Sequence, residues 1–334
     1  MSQGYNVIIA GATGAVGGEM LAILEKRNFP VRNLRLLASH RSVGRELQFR
    51  GETVRVEELT KDSFGNTDIA LFSAGASRSK EFAQAAVDAG AVVIDNSSAF
   101  RMDPEVPLVV PEVNPEDVKW HKGIIANPNC TTIIMLVTLK PLHDLSPVRR
   151  IVVSTYQSAS GAGAKAMEEL NTQTADVLAG RVAQPKAFSH QIAFNLFSHD
   201  SDIGDNGYNK EEMKMVNETR KMLHDDRIGV CATCIRVPVF RAHAEAITIE
   251  QERKVSVEEA RDALRTAPGI RLVDDREKNY FPMPLDASGQ DDVLVGRIRD
   301  DLSRENGLAM FVCGDQLFKG AAQNAVQIAE LLQR

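Results

Sequence analysis

The sequence is poor in cysteine, has no long apolar run and carries no excess of positive charge. Four cysteines in 334 residues are too few for a disulfide framework, which favours a reducing compartment. The longest apolar runs, such as residues 106–110 and 133–139, fall well short of the roughly 20 residues that a membrane-spanning helix needs. A formal net charge of -6 argues against nucleic acid or an acidic membrane as the principal partner. We therefore expect a soluble, cytoplasmic protein.

The first 24 residues show the order strand, glycine turn, helix. An apolar strand at residues 5–10 leads directly into Gly11-Ala-Thr-Gly-Ala-Val-Gly17, and a helical pattern follows. Glycines at this spacing let the backbone approach a pyrophosphate, whose charge the start of the helix stabilises. An ordinary turn is the alternative, but this context favours a dinucleotide site. The residues expected at the cofactor are Gly11, Thr13, Gly14, Ala15 and Val16.

The second strand, residues 34–39, ends without the acidic residue that would bind the ribose hydroxyls of NAD. The chain instead continues Ser39-His-Arg-Ser42. An arginine flanked by hydroxyls suits a 2'-phosphate, so Ser39, Arg41 and Ser42 predict NADP as the cofactor. A solvated loop arginine is the alternative.

Further strand and helix patterns follow, with strands at 68–72 and 92–95 and a helix near 80–89. This alternation predicts a doubly wound parallel sheet. Arg101 follows the last of these strands, at the sheet edge where α/β folds bind ligands. From position alone, an anion contact and a surface arginine are equally good interpretations of Arg101.

Cys130 is the strongest candidate for a reactive group. It begins an apolar segment at residues 130–142 that predicts a buried helix, with Asn129 as the N-cap. A thiol in the first turn of a helix lies at the positive end of the helix dipole, which can lower a cysteine pKa from ~8.5 toward neutrality and populate the nucleophilic thiolate. The alternative is an inert buried cysteine.

A strand at residues 150–156 begins a different pattern and ends in Gln157-Ser-Ala-Ser-Gly-Ala-Gly163. Gln157 offers a donor and an acceptor on one side chain, and the small residues leave backbone N–H groups open to a ligand. We expect Ser160 and Gly161 of this loop at the cofactor, although a flexible connection is equally compatible with the composition.

Downstream, polar side chains on predicted helices and strands complete the candidate set. Glu211 and Lys214 lie three residues apart on a helix at 210–223, where a surface ion pair is the simplest interpretation. Arg236 and His243 lie on two strand segments joined by a short bend; arginine can bind a carboxylate and histidine can exchange a proton. No metal site is expected, because the Cys231/Cys234 pair has no second Cys/His pair at ligand spacing.

The chain is long enough for two domains, and 43% hydrophobic residues can supply a core for each. Strands at 293–300 and 307–313 precede a helix from Gln316 through Leu332. We predict a nucleotide-binding domain at residues 1–127, with the C-terminal helix at 316–334 packing back on it, and a catalytic domain at 128–315.

The sequence resembles the aspartate-β-semialdehyde dehydrogenases along nearly its whole length. The motifs that carry the resemblance occur in the family's order: Gly11–Gly17, Ser39–Ser42, Asn127–Thr132, Gln157–Gly163, Arg236–Val239 and His243–Glu245. The resemblance implies an α/β protein with a Rossmann-like NADP-binding domain and an α+β catalytic and dimerisation domain of the glyceraldehyde-phosphate-dehydrogenase-like type, assembled as a homodimer. It also implies NADPH-dependent reductive dephosphorylation of L-aspartyl 4-phosphate, with release of phosphate, in the biosynthesis of lysine (through diaminopimelate), threonine, methionine and isoleucine.

Matched position by position, the resemblance implies roles for single residues. Cys130 would form an acyl-thioester, His243 would be the acid/base and Gln157 would orient the intermediate. The positions that match substrate contacts are Arg236 for the α-carboxylate, Glu211 for the amino group, and Arg101 and Lys214 for phosphate. Gln316 and Asn324 match cofactor contacts near the nicotinamide. His40 stands where the family more often has a small residue, and Cys231 is an extra cysteine.

Two other functions compete with this one. N-acetyl-γ-glutamyl-phosphate reductase resembles the family in fold and uses the same cysteine chemistry on an acylated substrate; Arg236 and the Glu211/Lys214 pair favour the free amino acid instead. A non-catalytic NADP-sensing regulator would need the glycine loop but no reactive thiol.

Overall fold

The computed structural model describes residues 4–333, which form two compact units. Unit 1 consists of the described parts of Met1–Pro128 and Ala321–Arg334, and unit 2 is Asn129–Gly320. Within the described residues, no helix is both long and apolar enough to cross a membrane.

Unit 1 is built on a seven-stranded sheet in the order β3-β4-β2-β1-β5-β6-β7. Its strands are β1 (Tyr5–Ala10), β2 (Val31–Ala38), β3 (Glu46–Phe49), β4 (Glu52–Glu58), β5 (Ile69–Phe72), β6 (Val92–Asp95) and β7 (Ile124–Ala126), and its first two helices are α1 (Ala15–Lys26) and α2 (Ala76–Asp88). All neighbouring strands are parallel except the β3–β4 hairpin. The predicted doubly wound sheet is therefore confirmed, and the apolar strands β1 and β5 lie buried at its centre.

Unit 2 combines a mixed seven-stranded sheet with helices. In chain order it contains α3 (Cys130–Leu145), β8 (Val148–Gln157), α4 (Ala164–Leu178), β9 (Phe197–Ser198), α5 (Lys210–Leu223), β10 (Gly229–Arg236), β11 (His243–Gln251), α6 (Val257–Thr266), β12 (Ile270–Leu272), α7 (Pro284–Ala287), β13 (Val293–Asp300) and β14 (Gly307–Gly314). The sheet order is β12-β13-β14-β11-β8-β10-β9. The β12–β13 and β8–β10 pairs are parallel and the other neighbouring strands are antiparallel, which fits the predicted α+β domain.

One face of the unit 2 sheet is buried beneath helices, with α3 packed on β8, β11, β13 and β14, and α5 on β10. Side chains alternate between the faces of a strand, and over residues 151–157 of β8 and 245–251 of β11 the odd-numbered residues are the buried ones. Most of this face is apolar, but its edge nearest the start of α3 carries polar residues: Arg236 pairs in register with Gln157, and His243 with Gly314.

The C-terminal helix begins later than predicted. A π-helical turn at Phe318–Ala322 leads into α8 (Gln323–Leu331), whereas Gln316 lies in a turn before it. The Asp315 carboxylate accepts backbone N–H groups of Leu317 and Phe318, at 2.9 and 3.2 Å, and this cap separates Gln316 from the helix. Within unit 1, α8 packs on α1 and β6.

Candidate active site

In unit 1, the glycine loop is shaped by close backbone contacts. Gly11 has φ +91°, and a Cβ there would lie 2.4 Å from the Ser73 carbonyl oxygen. A Cβ on Gly17 would lie 2.3 Å from the carbonyl oxygen of Gly11. A side chain at Gly11 would push the loop away from Ser73, and one at Gly17 would push α1 away from the loop, so these two glycines are required for the tight strand-to-helix turn.

The start of α1 is suited to a phosphate group. Its N-cap, Gly14, provides no side-chain hydrogen bond to the helix, so the first-turn N–H groups that follow it are available to an anion. Thr13 Oγ1 donates to Ser42 Oγ at 3.2 Å, which joins the loop to the turn His40–Ser42 after β2. Ser39 and Arg41 of that segment are exposed. These features fit a bound NADP: a pyrophosphate at Ala15 and Val16, and a 2'-phosphate near Arg41.

Arg101 and Asn324 are buried within unit 1. Arg101 Nε donates to the Asn127 carbonyl oxygen at 2.9 Å and its Nη2 to that of Asn96 at 3.1 Å. Asn324 lies on α8, where its Nδ2 donates to Asn127 Oδ1 at 2.6 Å and to the Val109 carbonyl oxygen at 3.0 Å. Both side chains therefore hold the segment that precedes Cys130, and their predicted ligand contacts stay predictions.

Cys130 is the first residue of α3, as predicted, and Asn129 is its N-cap. Asn129 Oδ1 accepts the backbone N–H groups of Thr131 and Thr132, at 3.2 and 3.5 Å. The thiol is half-buried. A Cβ at Gly320 would lie 2.9 Å from the Cys130 Cβ. The backbone at position 320 therefore passes so close to Cys130 that only glycine fits there.

Glu211 links the start of α3 to the buried sheet face. Its Oε1 accepts from Asn129 Nδ2 at 2.8 Å and from Gln157 Nε2 at 3.1 Å, and its Oε2 lies 2.7 Å from Lys214 Nζ. Burial alone would raise the pKa of this carboxyl, but the charge of Lys214, that of His199 once it is protonated in acid, and the hydrogen bonds from Lys214 and Asn129 lower it well below its usual range. Glu211 is therefore a buried anion, and more than the surface ion pair that its spacing suggested.

Arg236 is only 7% exposed, which its position on a strand could not reveal. Its Nε lies 3.4 Å from Asp200 Oδ1, and its guanidinium carbon lies 5.7 Å from the ring centre of Phe188. Next to it on β8, Gln157 Oε1 has no hydrogen-bond partner among residues 4–333. A buried cation beside an unsatisfied amide oxygen suits an anionic ligand that also carries a hydrogen-bond donor.

His243 is fully buried. Its Nδ1 accepts the Ser158 backbone N–H at 3.0 Å, while its Nε2 has no hydrogen-bond partner in the described part of the chain. Burial and the positive charge of Arg236 lower the pKa of His243 to about 3. The same causes lower the pKa of His199 to about 4. Both rings are therefore neutral near pH 7 before a ligand binds.

The loop after β8 contacts His243 directly. A Cβ on Gly161 would lie 3.0 Å from His243 Cε1 and 3.1 Å from Nε2, so the ring needs a glycine at this point. Gln316 Nε2 donates to Ser160 Oγ, and Gln316 Oε1 accepts the Ala242 N–H at 2.9 Å. Unit 2 thus brings together the predicted residues Gln157, Ser160 and Gly161 with His243 and Gln316.

The sequence did not single out three polar residues of this unit. His199 and Asp200 approach Arg236 from a segment that lies far earlier in the chain, and no local pattern marks them. Ser158 lies inside a motif that was recognised, yet its contact with His243 depends on the pairing of β8 with β11.

Comparison with known proteins defines the class first. The family described as "Semialdehyde dehydrogenase, NAD binding domain" matches residues 6–121, and "Semialdehyde dehydrogenase, dimerisation domain" matches residues 139–319. Together with the glycine loop and the thiol at a helix N-terminus, these matches define a nicotinamide-dependent semialdehyde dehydrogenase.

Individual relatives identify the family within this class. An aspartate-semialdehyde dehydrogenase of Synechocystis sp. is 58% identical over 332 residues, covering 99% of this chain and 98% of the relative. One of Aquifex aeolicus is 57% identical over 335 residues, covering 99% and 98%. The crystal structure of aspartate semialdehyde dehydrogenase II from Vibrio cholerae complexed with ASA is 51% identical, with a TM-score of 0.97 over 100% of this chain and 99% of that chain. The chain belongs to the aspartate-semialdehyde dehydrogenase family.

Proposed function

We propose that the chain reduces L-aspartyl 4-phosphate to L-aspartate 4-semialdehyde with NADPH and releases phosphate. The observation that carries this proposal is the pair of buried opposite charges in unit 2, the Glu211 carboxylate, which accepts from Gln157, and the Arg236 guanidinium, whose residue pairs in register with Gln157. A free amino acid has an ammonium group and a carboxylate to match them.

The chemistry begins at Cys130. Its thiolate attacks the acyl carbon of the substrate, a C–S bond forms, and the bond from that carbon to the phosphate oxygen breaks. Hydride reduces the resulting thioester, the C–S bond then breaks, and the aldehyde leaves. NADPH supplies that hydride when it is bound.

The neighbouring side chains orient these steps. The unsatisfied Nε2 of His243 is available to the acyl group, and the unsatisfied Oε1 of Gln157 is available to a hydrogen-bond donor of the substrate, through which Gln157 orients the intermediate. His243 acts as the acid/base that stabilises the departing thiolate. Arg236 binds the α-carboxylate and Glu211 the ammonium group. Arg101 and Lys214 stay the predicted phosphate-binding residues. Gln316 and Asn324, with the glycine loop, stay the predicted cofactor contacts.

N-acetyl-γ-glutamyl phosphate is a poorer match to this arrangement. Acetylation removes the positive charge that the Glu211 carboxylate would bind, and it leaves a buried anion facing an amide. A sensor without catalysis gains no support from the position of Cys130 at the capped start of α3.

The domain organisation proposed with this function is an NADP-binding domain at residues 1–127 joined by the C-terminal helix, and a catalytic domain at 128–315. We propose that the catalytic domain forms a homodimer, since residues 139–319 match a dimerisation domain. We also propose a cytoplasmic location, which four cysteines without disulfides support.

Phosphate-dependent reduction of NADP by L-aspartate 4-semialdehyde tests the proposal. Wild type should form NADPH, and Cys130→Ala should bind NADPH but show no turnover. If wild type turned over only N-acetyl-glutamate 5-semialdehyde, the proposed substrate would be refuted. If Cys130→Ala kept full activity, Cys130 would not be the nucleophile.

A further inference from the structure

A continuous chain of buried hydrogen bonds ends on the His243 ring. Gln316 Nε2 donates to Ser160 Oγ, which lies 3.2 Å from Ser158 Oγ, and Ser158 Oγ lies 3.1 Å from His243 Nδ1. None of these four residues is more than 2% exposed. Bulk water therefore does not compete for these bonds, and their directions are set by the protein.

The Gln316 end of the chain has a fixed direction. The Ala242 backbone N–H, which can only donate, is bonded to Gln316 Oε1 at 2.9 Å, so the amide nitrogen of Gln316 must be the group facing Ser160. Because an amide nitrogen does not accept, the hydroxyl hydrogen of Ser160 is directed away from it, toward Ser158 Oγ. The hydroxyl hydrogen of Ser158 is then left for His243.

The histidine end has the same direction. The Ser158 backbone N–H also donates to His243 Nδ1, at 3.0 Å. A ring nitrogen that accepts carries no hydrogen, and a neutral imidazole has one N–H group. That hydrogen is therefore on Nε2, the atom without a partner among residues 4–333.

We propose that Ser158, Ser160 and Gln316 are positioning residues, whose one-way hydrogen-bond chain holds His243 as the Nε2–H tautomer and presents that hydrogen to the reacting groups. The tautomer itself follows from the contacts alone; its use in the reaction rests on the proposed function. A fixed donor at Nε2 stabilises negative charge on the acyl oxygen or on the departing thiolate without reorganisation of the site.

The substitution Gln316→Glu tests the direction of the hydrogen bonds in this chain. A carboxylate at this position still accepts the Ala242 N–H, so the left-handed backbone of Ala242 (φ 69°) keeps its support. It cannot donate to Ser160, so the hydroxyl hydrogens of Ser160 and Ser158 turn toward it and an oxygen lone pair faces His243 Nδ1. Gln316→Met, which breaks the chain without reversing it, is the matched control.

The readout is the pair of ring nitrogen shifts of His243 in ¹⁵N-histidine-labelled protein without substrate or cofactor, assigned by their loss in His243→Asn. Wild type should show an unprotonated Nδ1 and a protonated Nε2 at pH 7. Gln316→Glu should leave the hydrogen on Nε2, because the Ser158 backbone N–H still donates to Nδ1. It should nevertheless move the Nδ1 shift, since Nδ1 loses the Ser158 hydroxyl as a donor, and raise the His243 pKa; Gln316→Met should do so less. Protonated Nδ1 in neutral wild-type protein, or identical shifts in wild type and Gln316→Glu, would overturn the proposal.

Kinetics give a second readout. Ser158→Ala should lower kcat about tenfold, the effect of one hydrogen bond, with the KM values for both substrates within about twofold of wild type. Ser160→Ala should lower kcat by a similar factor. An unchanged kcat would refute the positioning role. If wild type itself failed to turn over aspartate semialdehyde, the proposed function would fall, while the nitrogen shifts would still decide the tautomer.

Discussion

Glu245→Gln should stabilise the protein increasingly as the pH rises. Glu245 lies two residues after His243 on β11, on the same buried face, in register with Thr155 on β8. It is fully buried, and neither carboxyl oxygen has a hydrogen-bond partner within residues 4–333. Burial disfavours the charged form and raises the pKa of Glu245 well above its usual value.

The sign and size of the effect follow from proton linkage. A carboxyl with a raised pKa stabilises the folded state fully below its unfolded pKa of about 4.3, and that contribution is lost as the pH rises toward the folded pKa. The loss is ~1.36 kcal/mol per pH unit. Glutamine has the shape of the neutral acid and does not titrate, so the variant's advantage should grow by about 2.7 kcal/mol between pH 5 and pH 7 if the folded pKa lies above 7.

The assay is urea denaturation at pH 5, 6 and 7, followed by far-ultraviolet circular dichroism, with both proteins at equal concentration. Other titrating groups cancel in the difference between the two free energies of unfolding. An infrared carbonyl band of a protonated carboxyl, present in wild type and absent in Glu245→Gln, is an independent check. A difference that stays constant across the three pH values, or a variant that becomes relatively less stable, would refute the reasoning.

Other substitutions test the remaining parts of the site. Asn129→Ala removes the α3 cap and the hydrogen bond to ionised Glu211, so the free energy of unfolding should fall by about 2–4 kcal/mol in urea denaturation; a fall below about 0.5 kcal/mol would contradict the cap. Gly161→Ala places a methyl group against the His243 ring and should lower kcat about 10- to 100-fold with an unchanged circular dichroism spectrum. Arg41→Ala should raise the KM for NADPH far more than that for NADH; equal effects would rule out a 2'-phosphate contact.

Local patterns predicted the elements that carry the chemistry. The apolar strand before Gly11, the cap at Asn129 and the helix beginning at Cys130 depend on neighbouring residues only, and all were found. The β3–β4 hairpin was not predicted, because Glu46–Glu58 is mostly exposed and offers only the short apolar pairs Leu47/Phe49 and Val54/Val56. Its strands extend the edge of the sheet and bury few apolar side chains, so the apolar alternation is too short to predict a strand.

Contacts between distant segments could not be predicted in this way. Glu211 and Lys214 have the spacing of a surface ion pair, and only the packing of α5 against the start of α3 makes Glu211 a buried anion. Likewise, the isolation of Glu245 and the hydrogen bonds of Ser158 depend on the register between β8 and β11. A shift of one residue in that register would turn these side chains to the opposite face.

The charges around His243 imply that a ligand changes its basicity. In the free protein, burial and the Arg236 charge lower the pKa of His243, and the Glu211 charge opposes them only in part. A substrate carboxylate at Arg236 would cancel the positive charge that disfavours imidazolium, so the His243 pKa should be higher in the complex.

The pH dependence of the rate distinguishes the His243 pKa in the free enzyme from that in the substrate complex. The profile of kcat/KM reports ionisations of the free enzyme, and that of kcat reports those of the complex. The ionisation assigned to His243 should therefore appear at a higher pH in kcat than in kcat/KM. Arg236→Gln should raise the pKa of His243 in the free protein, as measured by nitrogen shifts, because it removes the same charge without a ligand. If Arg236→Gln left the His243 pKa unchanged, burial alone would set it, and substrate binding at Arg236 would give the histidine no added basicity.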